Sequence, residues 1–287
     1  MMMKIFFVCL LFSLTLSAQM PETDIWLFKI EKKEGKYNYS NPLNITHRVG
    51  YDNQPVFTND GKSILYVCID STKQADIYQY AISKKTSVNL TKSQVSEYSP
   101  TIIPDGSGFS SVVVEKDSSQ RVWLFNLDGT FKRIVHEGTD SIGYHTWLNN
   151  DTLMYYKLTE PHSLRVLDLK SNKDVWICDH PTRAFKQIGK SSRFIYGIKD
   201  STSTQFRIYN SALKESAVYA SYPSINEDFI WHHELGLIKS EGSDLLKYNE
   251  QSKTWDVLFS FSNLGIKKIT RFVFDSKNKQ LAIVSNL

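Results

Sequence analysis

Cysteine is scarce in this chain, with only Cys9, Cys68 and Cys178 among 287 residues. Three thiols cannot make the multi-disulfide framework of a small stapled domain. Cys68 and Cys178 each sit in a strand-like apolar run, ILYVCI and VWIC, where a buried free thiol is expected. Long apolar runs are missing after residue 18, so nothing there has the roughly 20 apolar residues of a spanning helix. Charge of one sign is missing too. Lysine and arginine total 34 against 30 acidic residues, and no basic run is dense enough to propose nucleic acid as a partner.

Catalytic and metal-binding signatures are also absent. No G-x-S-x-G elbow of a serine hydrolase occurs; GSGFS (Gly106–Ser110) comes nearest and lies in a turn. The seven histidines, His47, His136, His145, His162, His180, His232 and His233, are scattered, with no H-x-x-x-H and no C-x-x-C. His232 and His233 fall where other repeat units turn, and are expected as solvated turn residues. No D-x-D-x-D-G calcium loop and no phosphate-cradling glycine loop is found. The sequence therefore offers no catalytic residue, no cofactor and no metal ligand set.

The chain opens MMMKIFFVCLLFSLTLSAQ. Lys4 precedes an apolar run from Ile5 to Leu16, and the small residues Ser17 and Ala18 follow. This is the pattern of a signal peptide over residues 1–18, which predicts a periplasmic or secreted protein. The apolar run is too short for a membrane anchor. Residues 19–287 are expected to form a single domain with near-balanced charge.

A hairpin is written twice at a spacing of 45 residues: QPVFTNDGKSILYV from Gln54 and SPTIIPDGSGFSSVV from Ser99. Each is followed by two more apolar runs, KQADIYQYAISKKTSVNLT and SQRVWLFNLDGTFKRIV. Glycines at 61, 106 and 129 supply the positive φ of tight turns, and Pro55 and Pro100 stand at strand starts. Weaker copies begin at His145, Phe185 and Asp228. DIWLFKI and PLNIT near the start match the last two strands of a unit, while RFVFDSKNKQLAIVS at the end matches the first two. The pattern predicts an all-β six-bladed β-propeller with four-stranded blades, the last blade closed by N- and C-terminal strands. A two-sheet sandwich is the runner-up.

The P-x-F-x-x-D-G-K-x-I-x-Y hairpin, the A-D-I-Y that follows it and the terminal N-L-T resemble the TolB-type propeller repeat, most strongly over Arg48–Thr91. The resemblance covers the propeller only. The separate α/β domain of TolB has no counterpart in the four residues between Gln19 and Asp24. Asn44-Ile45-Thr46 and Asn89-Leu90-Thr91 read as glycosylation sequons, but the repeat ending accounts for them.

In such a ring the first strand of each blade lines the axis, and the residues just ahead of it surround one mouth. Counting back from each hairpin nominates Tyr51, Asn53, Tyr98, His145, Arg183, Phe185, Asp228 and Arg271 as ligand-binding, with Glu97, Tyr144 and Glu227 beside them. The expected function is that of an exported, non-enzymatic binding module for an envelope protein or peptide. The alternative is a propeller enzyme, a lyase or hydrolase acting on a glycan through a metal gathered at the axis. The sequence leaves the oligomeric state open.

Overall fold

The computed structural model describes residues 21–225 and 227–286. The leader expected at 1–18 lies outside the described residues. No described helix is long and apolar enough to cross a membrane.

The fold is all-β. A first hairpin comprises β1 (Thr23–Lys33) and β2 (Lys36–Asn44). Then β3 (Tyr51–Phe57), β4 (Ser63–Ile69), β5 (Ala75–Ala81) and β6 (Thr86–Asn89) make an antiparallel meander. β7 (Ser96–Ile102), β8 (Gly108–Val114), β9 (Gln120–Asn126) and β10 (Phe131–Ile134) repeat it. The next sheet holds β11 (Ile142–Asn149), β12 (Thr152–Lys157), β13 (Ser163–Asp168) and β14 (Lys173–Asp179). Another holds β15 (Pro181–Gln187), β16 (Arg193–Lys199), β17 (Thr204–Asn210) and β18 (Glu215–Tyr222). It is followed by β19 (Phe229–His232), β20 (Gly236–Glu241), β21 (Asp244–Asn249) and β22 (Thr254–Ser260).

The last two strands are β23 (Ile269–Phe274) and β24 (Gln280–Asn286). β24 pairs antiparallel with β1, in register from Thr23↔Asn286 to Lys29↔Gln280. The order β23-β24-β1 is extended by β2 on the other edge of β1, and a parallel bridge, Thr23↔Tyr51, links β1 to β3.

Turn chemistry sets these hairpins. Asp60 accepts hydrogen bonds from the Thr58 hydroxyl (2.7 Å) and the Lys62 amide (3.0 Å), and Gly61 follows at φ 70°. At Gly129, with φ 86°, a Cβ would stand 2.2 Å from the Leu90 carbonyl oxygen, so any side chain forces the neighbouring sheet away.

Second strands are covered on both faces. β4 is buried from Ile64 through Cys68 and reads as a continuous apolar run rather than an alternating one. Outer strands are instead exposed along most of their length, and leave Val88, Phe131, Trp176, Val218 and Val257 exposed. Apolar clusters fill the spaces between consecutive sheets. Ile25 and Val284 join Ile64 and Tyr66, and Val67 and Ile77 join Phe109 and Phe125. Val112 and Leu124 join Leu153 and Tyr155, and Met154 and Leu164 join Phe194 and Tyr196. Ile195 and Phe206 join Phe229 and Leu237, and Phe28 and Ile283 join Ile238 and Phe261. Each fully buried side chain of this size stabilises by about 1.5–3 kcal/mol.

The polar letters of the repeat have a structural task. Asn44 donates to Asp24 (2.6 Å), Thr46 donates to Asp24 (2.9 Å), and the Ile25 amide donates to the Thr46 hydroxyl (3.0 Å). The same lock recurs where Asn89 donates to Asp76 (2.6 Å) and the Ile77 amide donates to Thr91 (3.1 Å). Cys68 and Cys178 are buried free thiols, on β4 and β14. His232 differs from its expectation as a solvated turn residue. It ends β19, is buried, and its Nδ1 accepts the amides of Glu234 (3.2 Å) and Leu235 (3.1 Å). Burial lowers its pKa to about 4, so the ring is neutral. Of this adjacent pair, His233 is the exposed one.

Candidate functional site

The first strands stand side by side in the succession β3, β7, β11, β15, β19, β23, and β23 in turn lies beside β3. Their N-terminal ends surround a mouth of about 950 Å3. Below it lies an inner chamber of about 140 Å3. Arg183, Asp228, Tyr144 and Gln54 border both spaces.

Register breaks shape this wall. They fall between Asn53 and Val56, between Tyr98 and Thr101, between Pro181 and Phe185, and between Ile269 and Arg271. Gln54 (φ 58°) and Ser99 (φ 54°) are in the left-handed region, each just before a proline. Such bulges re-aim side chains, so simple alternation along the strand does not decide which residue meets the lumen. The Gln54 side-chain carbonyl accepts from the Ser99 amide and ties the two strands across the sheets.

Of the expected ligand-binding residues, Tyr51, Asn53, Tyr98, Arg183 and Asp228 line the mouth. Arg271 borders the inner chamber and reaches Tyr144, its Nη2 donating to the phenol oxygen at 3.5 Å with the guanidinium 5.4 Å from the ring centroid. His145 borders the chamber but is buried; its Nε2 lies 2.7 Å from the Ser110 hydroxyl, and Nδ1 has no partner. Burial lowers its pKa to about 3, so it carries no charge. Phe185 is buried with Met154, Tyr156 and Phe194 between two sheets. The irregular segment after Pro181 turns its ring into that packing.

The chamber's charges come from one side. Arg183, Lys186 and Arg271 border it, with Asp228 as the acid among its lining residues. Lys186 presents much of its surface to the lumen although the wall crowds it, and this crowding lowers its pKa, with Asp228 opposing. Burial raises the Asp228 pKa, while Arg271, Arg183 and Lys186 oppose that shift. Burial works against the charge on Arg271, but Asp228, Tyr144 and Tyr51 outweigh it and raise its pKa. Arg183 donates to the Thr270 carbonyl (2.9 Å). Glu227 is engaged by Lys199 in an ion pair. Lys186 and Gln54 escaped the counting rule because they fall within the apolar runs it counted back from, although the strands begin earlier and hold the nominated residues as well. Lys186 holds the register position of Val56, Thr101 and Val273, one pair before the strand's last, and a lone lysine there was the available signal.

Asp52 and Glu97, next to mouth residues, face sideways and are fully buried. Arg48 holds Asp52 through a contact of 2.9 Å. Glu97 accepts from Thr91 (3.0 Å) and Ser93. Burial raises its pKa to about 8, against the effect of those two hydroxyls. Among the described residues, no group of three or more His, Cys, Asp or Glu side chains is arranged to hold a metal ion.

No family model and no curated protein sequence matches the chain. Solved structures do. A TolB-type protein from Agrobacterium tumefaciens superposes with a TM-score of 0.66 at 11% identity, covering 93% of this chain and 99% of that one. A gluconolactonase from Xanthomonas campestris gives 0.65 at 9%, covering 94% and 96%. An oligogalacturonate lyase from Vibrio parahaemolyticus gives 0.58 at 12%, covering 91% and 86%. At these identities the likeness is one of fold, and the chain has the TolB-like β-propeller fold.

Proposed function

We propose that residues 19–287 form one closed six-bladed propeller, exported by the leader at 1–18, that acts as a non-enzymatic binding module for a protein or peptide of the bacterial envelope. The pairing of β1 with β24 and the cyclic succession of first strands support closure. Closure leaves no open sheet seam at the ends, which suits a rigid rim. The observation that carries the binding role is the open mouth lined by Tyr51, Asn53, Tyr98, Arg183 and Asp228, which gathers aromatic faces, amides and both charges in one concavity. An extended segment fits such a mouth, and amphipathic tyrosines are suited to hold it.

The test is capture from envelope extract with the tagged mature chain. A reproducible partner is expected to disappear when Tyr98→Ala and Arg271→Ala are combined, and to remain with an outer-strand change such as Val257→Ser. Capture of nothing reproducible, or a partner indifferent to the mouth, overturns the reading. A second reading, a glycan lyase or hydrolase, is favoured by the fold's likeness to an oligogalacturonate lyase and a gluconolactonase. Under that reading a chelator lowers thermal stability and His145→Ala abolishes turnover; under the first, the chelator is without effect.

A further inference from the structure

We propose that the inner chamber is a carboxylate-binding site, and that it takes the carboxylate of an acidic peptide segment entering through the mouth. This deepens the peptide-binding reading above and rests on it.

Charge carries the inference. Arg183, Lys186 and Arg271 border the chamber against the one carboxylate of Asp228, and His145 is neutral. None of the three cations is within 4 Å of a carboxylate oxygen among the described residues, whereas elsewhere Arg48, Arg121 and Arg165 each have such a partner. Glu227, beside Asp228 in the chain and at the mouth, is engaged by Lys199. The Nε of Arg183 is buried with no hydrogen-bond partner, and so is one oxygen of Asp228. A buried donor left unpaired costs free energy that a bound acceptor recovers. Arg271 is anchored by Tyr144 on one side, which leaves its planar fork suited to two parallel bonds to a carboxylate.

Size decides between a group and a molecule. Sites for whole small molecules span roughly 300–1,000 Å3. The chamber, at about 140 Å3, is below that range, while the mouth above it, at about 950 Å3, lies at its upper end. A chain in the mouth with its acidic end in the chamber fills both. A uronate would have to bring its ring into the narrow part.

The probes are fluorescein-labelled pentapeptides Gly-Ser-Gly-Ser-Asp with a free terminus, the amidated Asn counterpart, and the amidated peptide with an internal Asp, read by anisotropy at constant ionic strength. At least one acidic peptide is expected to bind roughly tenfold more tightly than the neutral one; the amidated form, whose only carboxylate is a side chain, shows whether a side-chain carboxylate suffices. Lys186→Gln and Arg271→Gln are each expected to weaken it by roughly tenfold. Asp228→Asn, which removes the competing internal anion, is expected to tighten it. Lys186 faces the lumen, so its variant keeps the test valid should Arg271→Gln fail to fold. Equal binding of acidic and neutral peptides overturns the proposal, as does indifference to Lys186→Gln or weaker binding on Asp228→Asn. Tighter binding of an oligogalacturonate, or equal competition by free glutarate, overturns the peptide as occupant. Peptide binding without envelope capture sinks only the envelope reading; capture that ignores carboxylates sinks only this site.

Discussion

The two sides of the channel differ. From β3 to β10 the wall is neutral, built of Tyr51, Asn53, Gln54, Tyr98 and Ser99, and charged side chains there face sideways in closed pairs, such as Arg48 with Asp52. From β15 to β23 the wall carries Arg183, Lys186, Asp228 and Arg271, which face the lumen. The neutral side is also where the repeat is most clearly written. The lettering Asp-Ile…Asn-x-Thr is a strand lock, as Asp76, Asn89 and Thr91 show, so its decay marks positions released from that task rather than poorer packing.

The strongest check of this contrast compares cores. Phe109 lies on the well-lettered side and Phe206 on the other, both fully buried. Phe109→Ala and Phe206→Ala are each expected to cost about 3–5 kcal/mol in urea unfolding. A markedly smaller loss for Phe206→Ala means the less regular side is loosely packed and the comparison fails.

Next in size is a pH effect confined to the regular side. The Glu97 pKa is raised from 4.5 to about 8 in the fold, so the native state holds a proton that the unfolded chain releases between those values. Its contribution is therefore intact below about pH 4.5 and falls as pH rises to about 8, by an amount on the order of a few kcal/mol. Glu97→Gln should flatten that part of the stability profile measured from pH 4.5 to 9. An unchanged slope shows that another group carries it.

Cations should then divide by side. Arg48→Ala leaves the Asp52 carboxylate buried without its partner, and is expected to lower stability by about 2–3 kcal/mol. Lys186→Gln removes a lumen cation that has no ion pair among the described residues, and is expected to change stability by less than about 1 kcal/mol. Equal losses for the two would erase the distinction between structural and lumen-facing charge.

Much of the fold was legible because a four-stranded sheet stacked on both faces demands a repeating signal. Apolar runs of strand length and glycine at turns recur at the spacing of the sheets, and Gly61, Gly106 and Gly129 have the positive φ that was expected. Pro55 and Pro100 recur too, but they lie at bulges inside β3 and β7 and not at the strand starts where they were expected. The rim was partly legible. Tyr51, Asn53, Tyr98, Arg183 and Asp228 line the mouth as counting implied. Phe185 and His145 border the inner chamber below the mouth, and most of each side chain is buried in the wall, because bulges and irregular starts shift the alternation in a way that no single strand announces. Lys186 was hidden because it lies within the apolar run that the counting started from.

The amino-acid order alone set the strands, their turns and the meander, since these rest on local patterning and backbone preference. It also set the burial of Cys68 and the locks around Asp24 and Asp76, whose partners recur at fixed spacing. Only the folded molecule decided which side chains meet at the axis. Arg183, Lys186, Asp228 and Arg271 lie up to 88 positions apart along the chain, yet border one chamber. Their proximity follows from how successive sheets stack around a common centre, a property of the whole packing that no local stretch encodes.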